Sequence, residues 1–274
     1  DSNNVAVGYN AGAAVTTGIN NTLIGGSAGD LLTDTDNNVA VGAGALGSDT
    51  LGSKTTAIGK DALGVQNFTT ATDSYNTAVG YQAGGAVTTG INNTLVGGLT
   101  GGAITTGNQI TAVGYQAGAA MTTSSQSSFF GYQAGLVTTG PGNNFFGFSA
   151  GKANTSGINN VAMGNLALST NVDGDDNTAI GSNALRNLEP ADGSSYNTAV
   201  GSQAGYAVTT GLRNTLIGGL AGDAITTGTN NIALGYSSIS SNTTSSNNVA
   251  VGNLALNTFN ITTGGDAYNV AVGT

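Results

Sequence analysis

The sequence predicts an all-β fold, a parallel β-solenoid with coils of about 17 residues, and two observations predict it. A glycine returns at a nearly constant spacing along the whole chain, as at Gly8, Gly25, Gly42 and Gly59. The composition is also unlike that of a globular enzyme, since 46 of the 274 residues are glycine and only 7% are charged. A fixed period of this size indicates units that stack on their neighbours to bury apolar surface. We therefore expect residues 1–274 to form a single continuous array of about 15 coils.

Each repeat predicts two short strands joined by turns. The first strand is the N-T-L-I-G or N-V-A-V-G segment, and the second is the A-V-T-T or A-I-T-T segment. The G-x-x-A-G between them predicts a turn. A coil of about 17 residues is too short for the helix of leucine-rich or ankyrin-like units, and the glycine, valine, isoleucine and threonine content disfavours helix.

Two adjacent apolar columns precede the repeated glycine. The residue directly before it, such as Val7 or Ile24, is always apolar and is predicted to face the core. The residue before that points to the opposite side of the strand and is also always apolar, although usually only an alanine. A strand that is apolar on both sides is typical of burial on both sides, which predicts a threefold subunit interface along the small column. The predicted interface residues are Ala6, Leu23, Ala40, Ala78, Leu95, Phe129, Phe145, Ala199, Leu216 and Ala250.

A monomeric solenoid that tolerates exposed alanines is the alternative to this interface, because single exposed apolar residues are common. The ladder of such residues would nevertheless form a stripe larger than soluble monomers usually expose.

Asparagine occupies the position four residues before the glycine in thirteen of sixteen copies, as at Asn21, Asn93 and Asn214. Asparagine tolerates left-handed backbone and bonds neighbouring amides, so stacked copies predict a hydrogen-bonded ladder at a corner of the coil. Ligand binding by these asparagines is the alternative, but the structural role is sufficient to explain them.

Three longer coils carry a tyrosine at one recurring position, Tyr75, Tyr196 and Tyr268. Extended loops on one side of a solenoid are typical partner-binding surfaces. The loops 64–75, 186–196 and 257–268 are therefore the predicted recognition sites, with the three tyrosines contacting a receptor or glycan. The alternative is that each tyrosine only caps an enlarged turn.

The chain lacks histidine and cysteine, which removes the usual general base, the thiol nucleophile and most transition-metal ligands. We therefore expect no enzyme activity and no cofactor. Asp173, Asp175 and Asp176 are weak candidates for calcium ligands, with a solvated turn as the alternative. The net charge of -9 and the scattered cations argue against nucleic-acid binding. The sequence has no apolar run of the roughly 18 to 20 residues that would predict membrane insertion.

Threonine pairs recur on the predicted second strand, as at Thr88 and Thr89. A flat threonine ladder makes an ice-binding solenoid a minor alternative function. The ladder is interrupted in several coils, and threonine favours strands in any case.

The N-[TV]-A-V-G-x-x-A pattern, as in NNVAVGYNAG and NTAVGYQAG, resembles the head repeats of trimeric autotransporter adhesins. The spelling NTAVGYQAG followed by TTG is similar to repeats of phage tail fibres and related bacterial surface fibres. The resemblance implies a left-handed parallel β-roll of three chains, located outside the cell on a virion or bacterial surface. The coil here is longer than the roughly 14 residues of the adhesin heads.

These observations together predict a rigid, non-enzymatic fibre segment for surface attachment, expected to be a piece of a longer fibre protein. The alternative is an extracellular filament in which residues 5–7 and 270–272 pair with the next chain by strand addition.

Overall fold

The computed structural model describes residues 2–190, 193–259 and 265–274, and the chain divides into two compact units, Asp1–Gln133 and Ala134–Thr274. In each unit the described residues form strands, turns and bends without a helix, so no membrane-spanning helix occurs among them. Both units are parallel β-solenoids whose equivalent positions in adjacent coils mostly lie 17 residues apart, as between Asn4 and Asn21 and between Asn197 and Asn214. This geometry confirms the predicted fold class.

The described residues of the first unit contain one main sheet of eight parallel strands and one short strand pair. Successive main strands pair one coil apart without a shift, as Val5 with Thr22 and Thr22 with Val39. The main strands are β1 (Val5–Val7), β2 (Thr22–Ile24), β3 (Val39–Val41), β5 (Thr56–Ile58), β7 (Thr77–Val79), β8 (Thr94–Val96), β9 (Thr111–Val113) and β10 (Ser128–Phe130), and the short pair is β4 (Gly52–Ser53) with β6 (Thr72–Asp73).

The second unit repeats this arrangement, with eight main strands and two short pairs among its described residues. The main strands are β11 (Asn144–Phe146), β12 (Val161–Met163), β14 (Thr178–Ile180), β16 (Thr198–Val200), β17 (Thr215–Ile217), β18 (Ile232–Leu234), β20 (Val249–Val251) and β22 (Val270–Val272). The short pairs are β13 (Gly174–Asp175) with β15 (Gly193–Ser194), and β19 (Ser245–Ser246) with β21 (Gly265–Asp266).

The repeated glycine ends each main strand because no other residue fits there. At Gly97, φ is 133°, and a Cβ atom would lie 2.5 Å from the carbonyl oxygen of Gly114 in the next coil. Backbone in this region is essentially restricted to glycine. The regular spacing of this glycine in the sequence therefore results from a direct backbone contact between adjacent coils.

The core of each unit is formed by the small apolar column, so the predicted assignment of the two columns to core and interface is wrong. The middle residue of each main strand points inward, and away from the ends of the array its side chain is fully buried within its own chain. Ala6, in β1, is exposed. The residues predicted at a subunit interface that lie instead in this core are Leu23, Ala40, Ala78, Leu95, Phe129, Phe145, Ala199, Leu216 and Ala250.

The narrow interior explains why the inward column is mostly alanine. A larger residue fits only where the facing turn carries glycine: a Cβ atom at Gly12 would lie 2.7 Å from Cδ1 of Leu23, and one at Gly118 would lie 2.7 Å from Cδ2 of Phe129. Where the facing turn carries leucine, as at Leu46 and Leu63, the strand carries alanine. One large side chain thus fills the interior from either the strand or the turn, and where a coil has neither, as at Ala78 and Gly84, leucines of the adjacent coils border the space.

The second strand predicted at A-V-T-T is absent from the described coils, and these residues form turns and bends instead. Bonds to the next coil converge here on a single carbonyl: the amide and the hydroxyl of Thr88 donate to the carbonyl of Thr105 at 2.9 and 3.1 Å, and the amide of Gly90 donates to it at 3.3 Å. One such contact per coil is too little for a ladder of strands. The predicted G-x-x-A-G turn is confirmed, for example by the amide of Ala28 donating to the carbonyl of Gly25.

Candidate binding surfaces

The outer face of the main strands is an uncharged surface that the sequence analysis placed in the core. The first and third residues of each strand point outward, which gives a column rich in threonine and valine beside a column of large apolar residues. Ile24, Ile58 and Ile217 expose 38%, 37% and 42% of their surface, and Met163 exposes 45%. In each unit the main strands thus present an apolar ladder without a charged side chain, and a patch of this kind indicates an interaction site.

The asparagine column forms the predicted ladder, and the structure assigns it to the interior. Asn214 is fully buried, and its Oδ1 accepts from the backbone amide and Nδ2 of Asn231 at 3.0 and 3.1 Å. Its Nδ2 donates to the carbonyl of Gly228 at 2.9 Å. The left-handed residue is the one before this asparagine, such as Arg213 with φ of 55°, and not the asparagine itself. Such a column joins the coils and presents little surface to a ligand.

The three tyrosines predicted as receptor contacts lie exposed at one corner of the coil. Tyr75, Tyr196 and Tyr268 expose 55%, 57% and 71% of their surface, and each has a left-handed backbone with φ near 50°. They occupy the corner position that most other coils give to a polar residue, usually asparagine or glutamine. Their rings are therefore available to a partner. Within the predicted loops, residues 191–192 and 260–264 lie outside the described residues.

Polar contacts hold two of these tyrosines against their corner of the solenoid. The hydroxyl of Tyr75 lies 3.3 Å from Oδ2 of Asp73 and 3.2 Å from Nζ of Lys54, which also pairs with Asp73. The hydroxyl of Tyr268 donates to Oδ2 of Asp266 at 3.0 Å, and this hydrogen bond raises the pKa of Tyr268. The contacts agree with a cap on the enlarged turn, and they leave more than half of each residue's surface exposed.

The carboxylates considered for calcium connect adjacent coils in this structure. Oδ1 of Asp175 accepts from the amide of Ile158 at 2.8 Å, and Oδ2 of Asp176 accepts from the hydroxyl of Ser194 at 2.8 Å. Asp173 lies near Glu189, whose pKa is raised mainly by burial and also by this neighbouring charge. Among the described residues, no three histidine, cysteine, aspartate or glutamate side chains form a group suited to a metal ion.

The threonine pairs do not form a flat outward ladder. Thr88 uses its hydroxyl within the coil stack, as do Thr105 and Thr226, whose hydroxyls donate to Thr122 and Thr243. Thr89 is exposed, but it lies in a bend and not in a strand. This geometry removes the flat strand face on which the ice-binding alternative depends.

No protein-family model matches the chain, and no curated protein is significantly similar to it. The class that the structure defines is therefore the parallel β-solenoid repeat protein, a fold compatible with a structural, fibre-like role.

Proposed function

We propose that this chain is a rigid, non-enzymatic segment of a surface-attachment fibre, of the kind found in phage tail fibres and bacterial adhesins. The observation that carries the proposal is the uncharged outer face of the main strands in each unit. A solenoid with a polar exterior would need no partner, whereas this ladder of valine, isoleucine and methionine favours coverage by another chain. The resemblance of the repeats implies a left-handed coil and a location on a virion or bacterial surface.

The partner that fits this face best is a second and third copy of the same chain. Eight strands spaced at about 4.8 Å and three residues long give a face of about 400 Å² in each unit. Each unit therefore offers about half of the 800 Å² per partner of a standard protein interface. Three such faces around an axis would cover one another without leaving an open side, which favours a homotrimer.

The experiment is the absolute mass of the chain measured by light scattering over a concentration series. We expect a constant mass of three chains for the wild type. Ile58→Lys places a charge on the outer face and should lower the mass, because a buried lysine would lose its hydration. Thr89→Lys is the matched control, because Thr89 is exposed on a bend away from the main strands, and it should leave the mass unchanged.

A monomeric wild type would refute the trimer. Mass that grows steadily with concentration would favour the filament, in which the exposed strands β1 and β22 pair with the next chain.

Attachment would then use surfaces outside the shared face. Tyr75, Tyr196 and Tyr268 are the proposed receptor or glycan contacts, since an exposed aromatic ring with a polar end is typical of binding surfaces.

A further inference from the structure

A groove crosses the turns of the first unit at a place the sequence analysis did not consider. It has a volume of about 560 Å³ and passes over five successive coils, from Ser27 to Gly102. At about 4.8 Å per coil this corresponds to a length of about 19 Å. The volume lies within the range of ligand-binding clefts, and the length suits an extended molecule. None of the lining residues belongs to a main strand, so the groove is separate from the face proposed for trimer formation.

The floor of the groove consists of four glycines at the same position in successive coils, Gly47, Gly64, Gly85 and Gly102. The fold does not require glycine there, because none of the four has a left-handed φ. A Cβ atom at Gly85 would approach no atom closer than 3.3 Å. The second unit carries larger residues at the equivalent position, namely Lys152, Ser169, Arg186, Tyr206 and Asp223.

Tyr206 shows directly that this turn accepts a large side chain. Its amide donates to the carbonyl of Gln203 at 3.2 Å, and the amide of Gly85 makes the same bond to Gln82 at 3.1 Å. The backbone turn is thus the same with tyrosine as with glycine. What the glycines provide is the open space above them.

The walls of the groove carry hydrogen-bonding groups and apolar surface, but no cation. One wall contributes Asp61, Gln82 and Leu99, the other contributes Ser48 and Val65, and Asp30 lies towards one end. Asp61 is paired through Oδ2 with Nζ of Lys60 at 2.9 Å. Among the described residues no lysine or arginine pairs with Asp30, whose carboxylate can only accept hydrogen bonds when ionised.

This combination selects the ligand by its chemistry. Carboxylates and an amide favour a partner that donates many hydrogen bonds, while Leu99, Val65 and Ala86 favour a partner that also has apolar faces. An anionic ligand would meet unpaired negative charge. We propose that the groove binds an extended, neutral glycan chain, whose hydroxyl groups donate to Asp30 and Gln82. This inference rests on the proposed attachment function and names a binding site for it.

The test measures binding of the full chain to immobilised linear oligosaccharides that are neutral, to others that contain uronic acids, and to oligolysine. We expect binding to at least one neutral oligosaccharide, a loss of at least about tenfold with Gly85→Tyr, which copies Tyr206, and a weaker loss with Asp30→Asn. Lys152→Tyr is the matched control, because it adds the same side chain at the equivalent position of the second unit, and it should bind like the wild type.

Neutral oligosaccharide binding that Gly85→Tyr leaves unchanged would overturn the proposal, as would its absence in the wild type. Binding of oligolysine alone, abolished by Gly85→Tyr, would overturn it in favour of a cationic peptide. Light scattering on the same samples separates these outcomes from a failure of the fibre function, since filling the groove should not change the mass of the assembly.

Discussion

The asparagine ladder permits a sharp test of what holds the coils together, through Asn214→Ala. This change removes four hydrogen bonds of the buried side chain: two accepted from Asn231, one donated to the carbonyl of Gly228 and one donated to Oδ1 of Asn197. Each such bond contributes about 1 kcal/mol net, and each buried group left without a partner costs about 1 to 3 kcal/mol. We expect a decrease of about 3 to 5 kcal/mol in the free energy of unfolding.

The assay is urea-induced unfolding followed by circular dichroism, with Asn230→Gly as the control. Asn230 is the neighbouring residue, is exposed, and has a left-handed φ of 56° that glycine adopts freely. Its side-chain bonds to Arg213 and Asn247 lie at the surface, so the control should change stability by less than about 0.5 kcal/mol. If Asn214→Ala costs no more than this control, the buried ladder does not hold the corner together.

Two further predictions concern the backbone contact and a buried acid. Gly97→Ala should destabilise the first unit by more than about 2 kcal/mol, because its Cβ would collide with the carbonyl of Gly114, whereas Gly98→Ala, with no atom closer than 3.6 Å, should be nearly neutral in thermal unfolding. Equal melting temperatures for the two variants would contradict this. Burial raises the pKa of Asp49 above its ordinary value of 3.8, despite hydrogen bonds from Gln66, Phe68 and Gly52. The folded state therefore keeps this proton to higher pH than the unfolded chain, and the resulting stabilisation is lost as the pH rises from 3.8 through the folded pKa. The free energy of unfolding of the wild type, measured by urea unfolding relative to Asp49→Asn, should therefore decrease as the pH increases through this range. A difference between the two proteins that does not change with pH would refute the prediction.

The sequence was sufficient for the period, the parallel register and the asparagine ladder, because each depends on a residue type that recurs at fixed spacing. It was misleading about the two apolar columns: both are apolar at every coil, and only the width of the interior decides that alanine points inward and valine outward. The facing glycines, such as Gly12 opposite Leu23, carried the missing signal. Gly85 and Tyr206 are equivalent in the sequence, five residues after the repeated glycine, but only the structure shows that Gly85 lines a groove and has no left-handed φ that would require glycine.

The nearly constant sequence separation between paired residues of adjacent coils has a consequence for how the chain folds. The main-strand pairs join residues that are mostly 17 apart, and no more than 21 apart at the longer coils, as the asparagine contacts beside them also are. The entropy lost in closing each coil is therefore nearly the same from one end of a unit to the other. Once a few coils have formed, each further coil closes a loop of this one length on an existing edge. The time needed to complete a unit should then increase in proportion to its number of coils, without the steep slowing expected when contacts span ever longer stretches of chain.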